Sequence, residues 1–272
     1  MAPFNTVSDA SCYFESSNYS NKNNGDVSNQ DESLHRPLVT KREDPNLYYD
    51  MTTDKILIIF NHFRYKKTRH YKYVPCSRAG TYQDVKSLET TFRSLGFTVI
   101  THDDWNYRDI MDYLRQVCKK DHSNTSCIAI AIMTHGKGVH LCASDRMYPV
   151  ADITDMLRTA PNLFGKPKLF FIQACRERHT KPRSQRNDVI FPVDADCLVL
   201  YSTYEDYLSY RNRNTGSWLM QALCEVVGSQ HHIKDLVSMV PLINNIVASK
   251  CTLEGFKQTP VTELYLTKYL ML

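Results

Sequence analysis

Continuous apolar runs of strand length recur along the chain from about residue 55 onward. Five segments consist almost entirely of apolar residues, namely Ile56–Phe60, Thr98–Ile100, Cys127–Met133, Leu169–Ile172 and Cys197–Tyr201. Continuous rather than alternating hydrophobicity is typical of a strand that is buried on both faces, as in a parallel sheet covered by helices. The pattern therefore predicts a sheet whose main strands lie inside the protein.

The segments between these runs place apolar residues at helical spacing. Four such segments predict helices: 85–95 ending at Gly96, 107–117, 218–226 between a capping Ser217 and Gly228, and 233–249. Strands and helices thus alternate through most of the chain. This order predicts an α/β fold with an open, mostly parallel twisted sheet flanked by helices on both faces.

Residues 1–50, which we call the leader, differ from the rest in being rich in Ser, Asn and Asp with few aliphatic residues. Such a segment buries too little apolar surface to offset the entropy of ordering, so we predict that it is disordered. Nothing in the sequence is long and apolar enough to span a membrane, and the N-terminus lacks the features of a secretory signal. We therefore expect a cytoplasmic protein without membrane contact.

Composition and charge narrow the possible partners. The formal net charge is +4, too small to predict nucleic-acid binding. The basic stretch 176–186 has no interleaved aromatic residues, so we interpret it as a solvated surface loop. The nine cysteines are scattered without C-x-x-C or Cys/His ligand spacing, which predicts free thiols and argues against a disulfide framework or a structural zinc site. No metal or other cofactor is expected.

Two of the predicted strands end in residues capable of nucleophilic catalysis. His135 and Gly136 follow Cys127–Met133, and Cys175 follows Leu169–Ile172. The carboxyl ends of parallel strands share one edge of the sheet, where an imidazole can activate a thiol and the N–H groups of Gly136 and Cys175 can stabilise an oxyanion. Taken singly, these residues could equally be a core thiol, a structural histidine and a turn glycine. Their joint placement raises the weight of the catalytic interpretation.

Several motifs resemble the caspase family of cysteine peptidases. "QACRE" at Gln173–Glu177 resembles the Q-A-C-[RQG]-G signature of the family, and "THG" at Thr134–Gly136 supplies the upstream histidine. Further similar segments follow in the family's order over about residues 54–268: "SRAGTYQDVKSLETTFRSLGFTV", "FPVDADCLVLYST", "YLSYRNRNTGSWLMQALC" and "KQTPVTELYLTK". The combination is specific to the family.

The resemblance implies an endopeptidase that cleaves proteins after Asp in apoptosis and is made as a zymogen. It implies that Cys175 is the nucleophile, His135 its acid/base partner and Gly136 part of the oxyanion hole. The implied substrate-binding residues are Arg78, Gln173, Ser209 and Arg211. Arg78, Gln173 and Arg211 would form a basic pocket for the aspartate side chain, whereas Ser209 and Arg211 would lie on a strand that pairs with the peptide.

The resemblance also divides the chain into functional regions. After the leader it implies a large-subunit region at 51–176, an inter-subunit linker at 177–190 and a small-subunit region at 191–272. Caspase zymogens resemble one another in being cut after Asp in this linker. Between Arg176 and Pro192 the one aspartate is Asp188, and no acidic residues precede it there apart from Glu177. We therefore expect that cleavage after Asp188 is possible but not strongly favoured by the sequence.

Four departures from the family pattern favour an alternative function. Two of them are the weakly signalled linker site and Lys137, which stands where many caspases have an acidic residue after His-Gly. Glu177 replaces a glycine, which predicts backbone strain near Cys175 and a raised thiol pKa. Glu263 stands where an apolar residue would face the partner subunit, so like charges would disfavour a homodimer and favour a heterodimer with another caspase. The alternative is therefore a catalytically weak homologue, a decoy that regulates an active caspase by heterodimerising or by competing for substrate.

Overall fold

The computed structural model of the chain describes residues 6–8, 44–177 and 195–272. The strands are β1 Thr6–Ser8, β2 Asp54–Asn61, β3 Phe97–Asp103, β4 Thr125–Met133, β5 Gly136–Lys137, β6 His140–Cys142, β7 Met147–Pro149, β8 Lys168–Gln173, β9 Cys197–Tyr201, β10 Tyr210–Asn212, β11 Gly216–Ser217 and β12 Val261–Leu264. The helices are α1 Thr81–Ser94, α2 Tyr107–Lys119, α3 Ala151–Arg158, α4 Trp218–Gln230 and α5 Leu236–Ala248, with a short 3-10 turn at Pro161–Leu163.

Six strands form the central sheet, in the order β12-β9-β8-β4-β2-β3. All neighbours are parallel except β12, which runs antiparallel to β9. One face is covered by α1, α4 and α5 and the other by α2 and α3, each with its own hydrophobic core. The predicted α/β fold, with a mostly parallel sheet between two helical layers, is confirmed.

The burial of the strands follows their positions in the sheet. The interior strands β4, β8 and β9 are buried along their whole length, as their continuous apolar runs predict. In β3 only Phe97 is buried. The expectation that Thr98–Ile100 is buried on both faces is therefore wrong, because β3 is the edge strand and its far side faces solvent.

The helix ends agree only in part with the predicted helix boundaries. Gly96 follows α1 with φ of +80°, as expected of a glycine that ends a helix. Ser217 caps α4 by accepting a hydrogen bond from the N–H of Met220 at 3.3 Å. The prediction that this helix stops at Gly228 is wrong, because Gly228 keeps a helical backbone and α4 continues to Gln230. The last helix begins later than predicted because Asp235 caps it by accepting from two backbone N–H groups.

Two parts of the leader belong to the described structure. Residues Thr6–Ser8 form β1, which pairs antiparallel with β10. Tyr49 is buried, and its hydroxyl donates to Asp196 Oδ1 at 2.6 Å. The prediction of disorder is therefore wrong for these parts. The backbone pairing of β1 and the buried side chain of Tyr49 hold them in place, although aliphatic residues are few. The division into subunit regions stays a prediction, and the linker from residue 178, including Asp188, lies outside the described residues.

Within the described ranges, no helix combines the length and the apolar character needed to cross a membrane. The cytoplasmic location stays a prediction.

Candidate active site

The register of the central sheet brings the two catalytic candidates to one edge. Met133 at the end of β4 pairs with Gln173 at the end of β8. His135 and Cys175 therefore each lie two residues beyond a matched pair, on neighbouring strands that leave the sheet side by side. Both residues are only 1% exposed, so any chemistry between them takes place away from bulk water.

His135 is held by its backbone and by one ring nitrogen. Its N–H donates to the hydroxyl of Tyr65 at 3.1 Å, and its carbonyl accepts from the N–H of Cys142 at 2.9 Å. The ring Nε2 lies 2.9 Å from the carbonyl oxygen of Cys76. A carbonyl can only accept, so Nε2 carries a proton, and in the neutral ring Nδ1 is the nitrogen able to take one.

The thiol of Cys175 contacts the segment that leads into β10. Its Sγ accepts from the N–H of Ser209 at 3.1 Å and lies 3.6 Å from the carbonyl oxygen of Ser209. The placement of Cys175 and His135 at one edge of the sheet is compatible with a catalytic dyad.

Gly136 lies directly against the backbone of the candidate nucleophile. A Cβ at this position would be 2.5 Å from the carbonyl oxygen of Cys175 and 2.9 Å from the Cβ of Ala174. No other residue fits without moving the Cys175 segment. The close approach of glycine places a backbone segment without a side chain beside the thiol, as an oxyanion hole requires.

Arg78 is a buried cation held by a chain of polar contacts. Its Nη1 donates to Thr81 Oγ1 at 2.9 Å and to the carbonyl oxygen of His62 at 3.2 Å. Thr81 in turn donates to Asn61 Oδ1 at 2.6 Å, at the carboxyl end of β2. Burial lowers the pKa of His62 to about 4, so His62 is neutral near pH 7 and does not repel the guanidinium group.

The other predicted substrate-binding residues surround the same point. Arg211 on β10 donates through Nη1 to the carbonyl oxygen of Ala79, next to Arg78. Gln173 donates through Nε2 to Ser209 Oγ at 2.5 Å. The structure therefore places Gln173 and Ser209 beside Cys175, and it places Arg211 against the backbone next to Arg78. Two buried guanidinium groups at one place favour a bound carboxylate, which they can hold by charge-assisted hydrogen bonds.

Asp84, in the first turn of α1, supports this region and was missed by the sequence analysis. Its Oδ1 accepts from the N–H of Ser217 and from Nε2 of Gln221, both at 2.8 Å. Burial raises the pKa of Asp84 to about 6, against the lowering effect of these hydrogen bonds and of Arg78. In the sequence it resembles an ordinary acidic residue at a helix start, which gives no signal of this role.

Glu177 does not have the positive φ that would favour a glycine at its position. Among the described residues, the non-glycine residues with positive φ are Asp104, Asp196 and Asp206. The carbonyl oxygen of Glu177 accepts from the N–H of Gly138 at 3.2 Å. The expected strain at Glu177 is therefore not found, because its backbone has an ordinary φ.

Arg176 is buried and contacts the segment before β10. Its guanidinium group lies 4.1 Å from the ring centre of Tyr201 and 3.0 Å from Glu205 Oε1. Its backbone N–H donates to the carbonyl oxygen of Tyr207 at 3.1 Å. The interpretation of 176–186 as a solvated loop is thus wrong for Arg176, whereas residues 178–186 lie outside the described ones.

The cysteines are not all free thiols. Among the described residues, seven cysteines are free, at positions 118, 127, 142, 175, 197, 224 and 251. Cys76 is disulfide-bonded, so the prediction of free thiols is wrong for this residue. Burial raises the pKa of Cys127 and of Cys142 to about 12, which makes these two thiols unreactive core residues. Cys175 differs from them in lying at the end of a strand among polar groups.

Comparisons with known proteins agree with this geometry. A family model described as "Caspase domain" matches residues 54–271. Caspase-1 of Drosophila melanogaster is 34% identical over 71% of this chain and 62% of its own length. Caspase-7 of Gallus gallus is 32% identical over 84% of this chain and 78% of its own length. The crystal structure of Caspase-1 from Spodoptera frugiperda superposes with a TM-score of 0.73 at 31% identity, covering 88% of this chain and 97% of that one.

Proposed function

The chain belongs to the caspase family of cysteine endopeptidases, and we propose that it is an active member that cleaves proteins after aspartate in apoptosis-related proteolysis. One observation carries the proposal. The amide of Gln173 contacts Ser209, whose backbone contacts the Cys175 thiol, and two residues further along the same segment Arg211 contacts the carbonyl oxygen of Ala79, next to the buried Arg78. An aspartate bound there would present its own carbonyl carbon to Cys175.

The proposed reaction uses three groups of the site in succession. The Cys175 thiolate attacks the carbonyl carbon of the scissile bond, and the N–H groups of Gly136 and Cys175 bind the oxyanion. His135 gives a proton to the leaving amine and later takes one from the water that hydrolyses the thioester. The Nε2 contact with Cys76 keeps the ring oriented, so Nδ1 is the nitrogen that exchanges the proton.

Selectivity for aspartate would come from charge and length. Two guanidinium groups hold a carboxylate with several charge-assisted hydrogen bonds, which an amide of the same shape cannot replace. The fixed partners of Arg78 on Thr81 and His62 and of Arg211 on Ala79 set the depth of the pocket. A glutamate side chain is one methylene longer and would displace the peptide carbonyl from the thiol.

The test is hydrolysis of three peptides that end in Asp, Asn or Glu before the reporter group. We expect the Asp peptide to be cleaved at least about 100-fold faster than the other two, since a site built for one polar group rejects analogues without it strongly. Cys175→Ala serves as the control for contaminating activity. Equal cleavage of the Asp and Asn peptides, or equal turnover by the Cys175→Ala variant, would contradict the proposal.

The decoy remains the second candidate, but the argument for it from backbone strain at Glu177 is weakened. Glu177 has no strained backbone, so of the two expected effects of that substitution only the effect of its charge on the Cys175 thiol is left. Glu263 on the edge strand β12 is half-buried opposite Val199. We propose that β12 pairs with a second caspase chain. Sedimentation of the purified protein, compared with Glu263→Val, tests whether the carboxylate opposes a homodimer: a variant that dimerises more strongly would favour a heterodimeric partner for the natural chain.

A further inference from the structure

The loop between β2 and α1 carries a dense group of positive charges. We call its residues 64–73 the basic loop. It contains no Asp or Glu, and all of its Lys and Arg side chains are exposed, namely Arg64, Lys66, Lys67, Arg69 and Lys72. These five charges exceed the formal net charge of +4 of the whole chain, so the rest of the chain is close to neutral. The positive charge of the protein is therefore concentrated on this loop.

Nearby carboxylates do not neutralise the basic loop. Asp104 Oδ1 accepts from the backbone N–H groups of Phe63 and Arg64 at 2.6 and 2.8 Å. Asp145 Oδ2 lies 3.1 Å from Nε of Arg146. Within the described part of the chain, no carboxylate forms an ion pair with a cation of the basic loop. The loop therefore presents a positive potential to solvent, which attracts a partner with negative charge.

Two tyrosines attach the basic loop to the candidate active site. The hydroxyl of Tyr65 accepts from the N–H of His135 at 3.1 Å and lies 2.9 Å from Thr134 Oγ1. The rings of Tyr65 and His135 have their centres 5.3 Å apart. Further along, the hydroxyl of Tyr71 donates to the carbonyl oxygen of Ala143 at 2.6 Å. The cations between the two tyrosines are therefore held close to the residue that is proposed to transfer the proton.

The polypeptide between the two tyrosines is also fastened to the segment that follows β6. The N–H of Lys66 donates to the carbonyl oxygen of Ser144 at 2.6 Å, and the hydroxyl of Thr68 donates to the carbonyl oxygen of Asp145 at 2.6 Å. The loop thus has a defined course although its charged side chains point into solvent. A surface that is already ordered loses less entropy when a partner binds to it.

The contact with His135 indicates which part of a substrate would meet the basic loop. In the proposed reaction, β10 pairs with the residues before the cleaved bond, whereas His135 gives its proton to the leaving amine. Tyr65 packs against His135. The start of the basic loop therefore lies on the side of the leaving group, where the residues after the cleaved bond continue.

The orientation of the tyrosines favours an acidic polypeptide over a nucleic acid. Aromatic residues alternate with cations in the loop, but Tyr65 is half-buried and Tyr71 is 8% exposed. Tyr73 is the one largely exposed tyrosine of the loop, and Lys72 Nζ lies 5.3 Å from its ring centre. Single strands of nucleic acid are bound by several exposed rings in succession. Asp and Glu side chains need only the cations, which are all exposed.

We propose that the basic loop is a second binding surface for protein substrates and that it binds an acidic segment that follows the cleaved bond. The inference rests on the proposed function, because the role of His135 defines the side of the leaving group. Exposed charges act mainly by long-range attraction, so the surface raises the rate of association and kcat/KM. The preferred substrates are thus proteins in which a cleavable Asp is followed by a run of Asp or Glu residues.

The experiment measures kcat/KM for three internally quenched peptides with the same cleavable Asp. One peptide ends shortly after the cleaved bond, and the other two continue through a Gly-Ser spacer into five Glu or five Gln residues. For wild type at low ionic strength, we expect the Glu peptide to be cleaved about 10-fold faster than the Gln peptide. The ratio should approach 1 in about 0.5 M salt, because exposed charges are then screened.

Two triple variants with the same loss of charge locate the effect. The loop variant combines Lys67→Gln, Arg69→Gln and Lys72→Gln. The control variant combines Lys86→Gln, Lys119→Gln and Lys120→Gln, three exposed lysines on α1 and at the end of α2. We expect the ratio of Glu to Gln peptide to fall below about 2-fold in the loop variant and to stay at the wild-type value in the control. The short peptide should be cleaved equally well by all three proteins.

The outcomes separate this inference from the proposed function. If the short peptide is cleaved after Asp but the Glu and Gln peptides react equally fast, the binding surface is wrong while the proposed function stands. An equal loss in the two triple variants would assign the effect to net charge and would overturn the role of the loop.

A binding measurement decides the case in which no peptide is cleaved. The fluorescence anisotropy of a labelled five-Glu peptide is followed in the Cys175→Ala background, with and without the changes of the loop variant and of the control. Binding that is weakened at least about 5-fold by the loop changes alone would support the surface even if the proposed function fails. Equal binding by all three proteins would overturn it. Tighter binding of a single-stranded oligonucleotide of the same charge would also overturn the assignment to an acidic polypeptide.

Discussion

The two sides of β10 are bonded very differently. On one side, β11 follows β10 after a short turn, and Asp84 fastens it by accepting from the N–H of Ser217. On the other side, β1 consists of three half-buried residues that come from more than 200 positions away in the sequence. We call these the anchored side and the leader side.

The difference shows how one strand can be both rigid and available. The anchored side fixes the position of Arg211 relative to α1, independently of what pairs with the other side of β10. The leader side is held by a few backbone contacts and little apolar burial, so its occupant can be exchanged. Binding by strand addition needs this combination, because the affinity comes from backbone groups that must be preset on one strand and vacant on the other.

The largest expected effect comes from breaking the anchored side at Gly216. This residue has φ of +95°, and a Cβ would lie 2.3 Å from Asp84 Oδ1, which is buried and hydrogen-bonded. We expect Gly216→Ala to lower the free energy of unfolding by about 3 kcal/mol or more, since backbone strain and overpacking add. The measurement is urea unfolding of the purified protein, with peptide hydrolysis as a second readout.

Gly255→Ala is the matched control for Gly216→Ala. Gly255 also has positive φ, of +84°, but a Cβ there would meet nothing within 4 Å. It should lose about 1 kcal/mol from the backbone alone. Equal losses in the two variants would show that Asp84 does not brace the anchored side.

The sequence predicted the buried strands of this region better than the long-range contacts that hold β1 and β11 against β10. Apolar runs identified the buried strands, because strand burial leaves a direct mark on composition. The strand ends predicted that His135 and Cys175 lie at one edge of the sheet, which the pairing of β4 with β8 confirms. Their catalytic roles and the pocket role of the arginines stay predictions. Asp84, Tyr65 and the pairing of β1 with β10 were missed, because their roles depend on partners far away in the chain. A polar leader also gives no compositional sign that three of its residues pair with a strand.

A smaller effect is expected from removing the titratable group of Asp84, which accepts from the N–H of Ser217 in β11. Burial raises the pKa of Asp84 to about 6 from its ordinary value of 3.8. The folded protein therefore holds this proton more tightly than the unfolded chain, so the stabilisation is complete below about pH 4 and is lost as pH rises through about 6. We expect the unfolding free energy of wild type to fall by about 2 kcal/mol over this range.

Asp84→Asn should remove that pH dependence, since Asn cannot ionise and its carbonyl oxygen can still accept from Ser217 and Gln221. The measurement is the urea midpoint at several pH values between 4 and 7. Asp109→Asn, an exposed carboxylate on α2, is the control and should leave the slope of wild type unchanged. An Asp84→Asn variant with the wild-type slope would assign the pH dependence to another group.

The leader side should respond in binding rather than in stability. We expect Val7→Pro to weaken the pairing of β1 with β10 at Arg211, because proline cannot donate a backbone hydrogen bond. The KM for an Asp-ended peptide should fall by about 5-fold. The free energy of unfolding, measured by urea, should change by less than about 0.5 kcal/mol. Val7→Ala keeps the backbone N–H and should leave KM nearly unchanged. Equal KM values for the proline and alanine variants would mean that β1 does not compete with substrate.

The smallest effect is expected at Glu177, where the backbone is fastened and the side chain has no assigned role in the site. Its φ is not positive and its carbonyl oxygen already accepts from Gly138. We therefore expect Glu177→Gly to change kcat/KM for an Asp-ended peptide by less than about 3-fold, because there is no strain to relieve.

Glu177→Gln separates the two reasons for which this residue could matter. A rise of more than about 10-fold in the glycine variant alone would point to the backbone. The same rise in both variants would point to the charge near Cys175, and either result would return the decoy to first place.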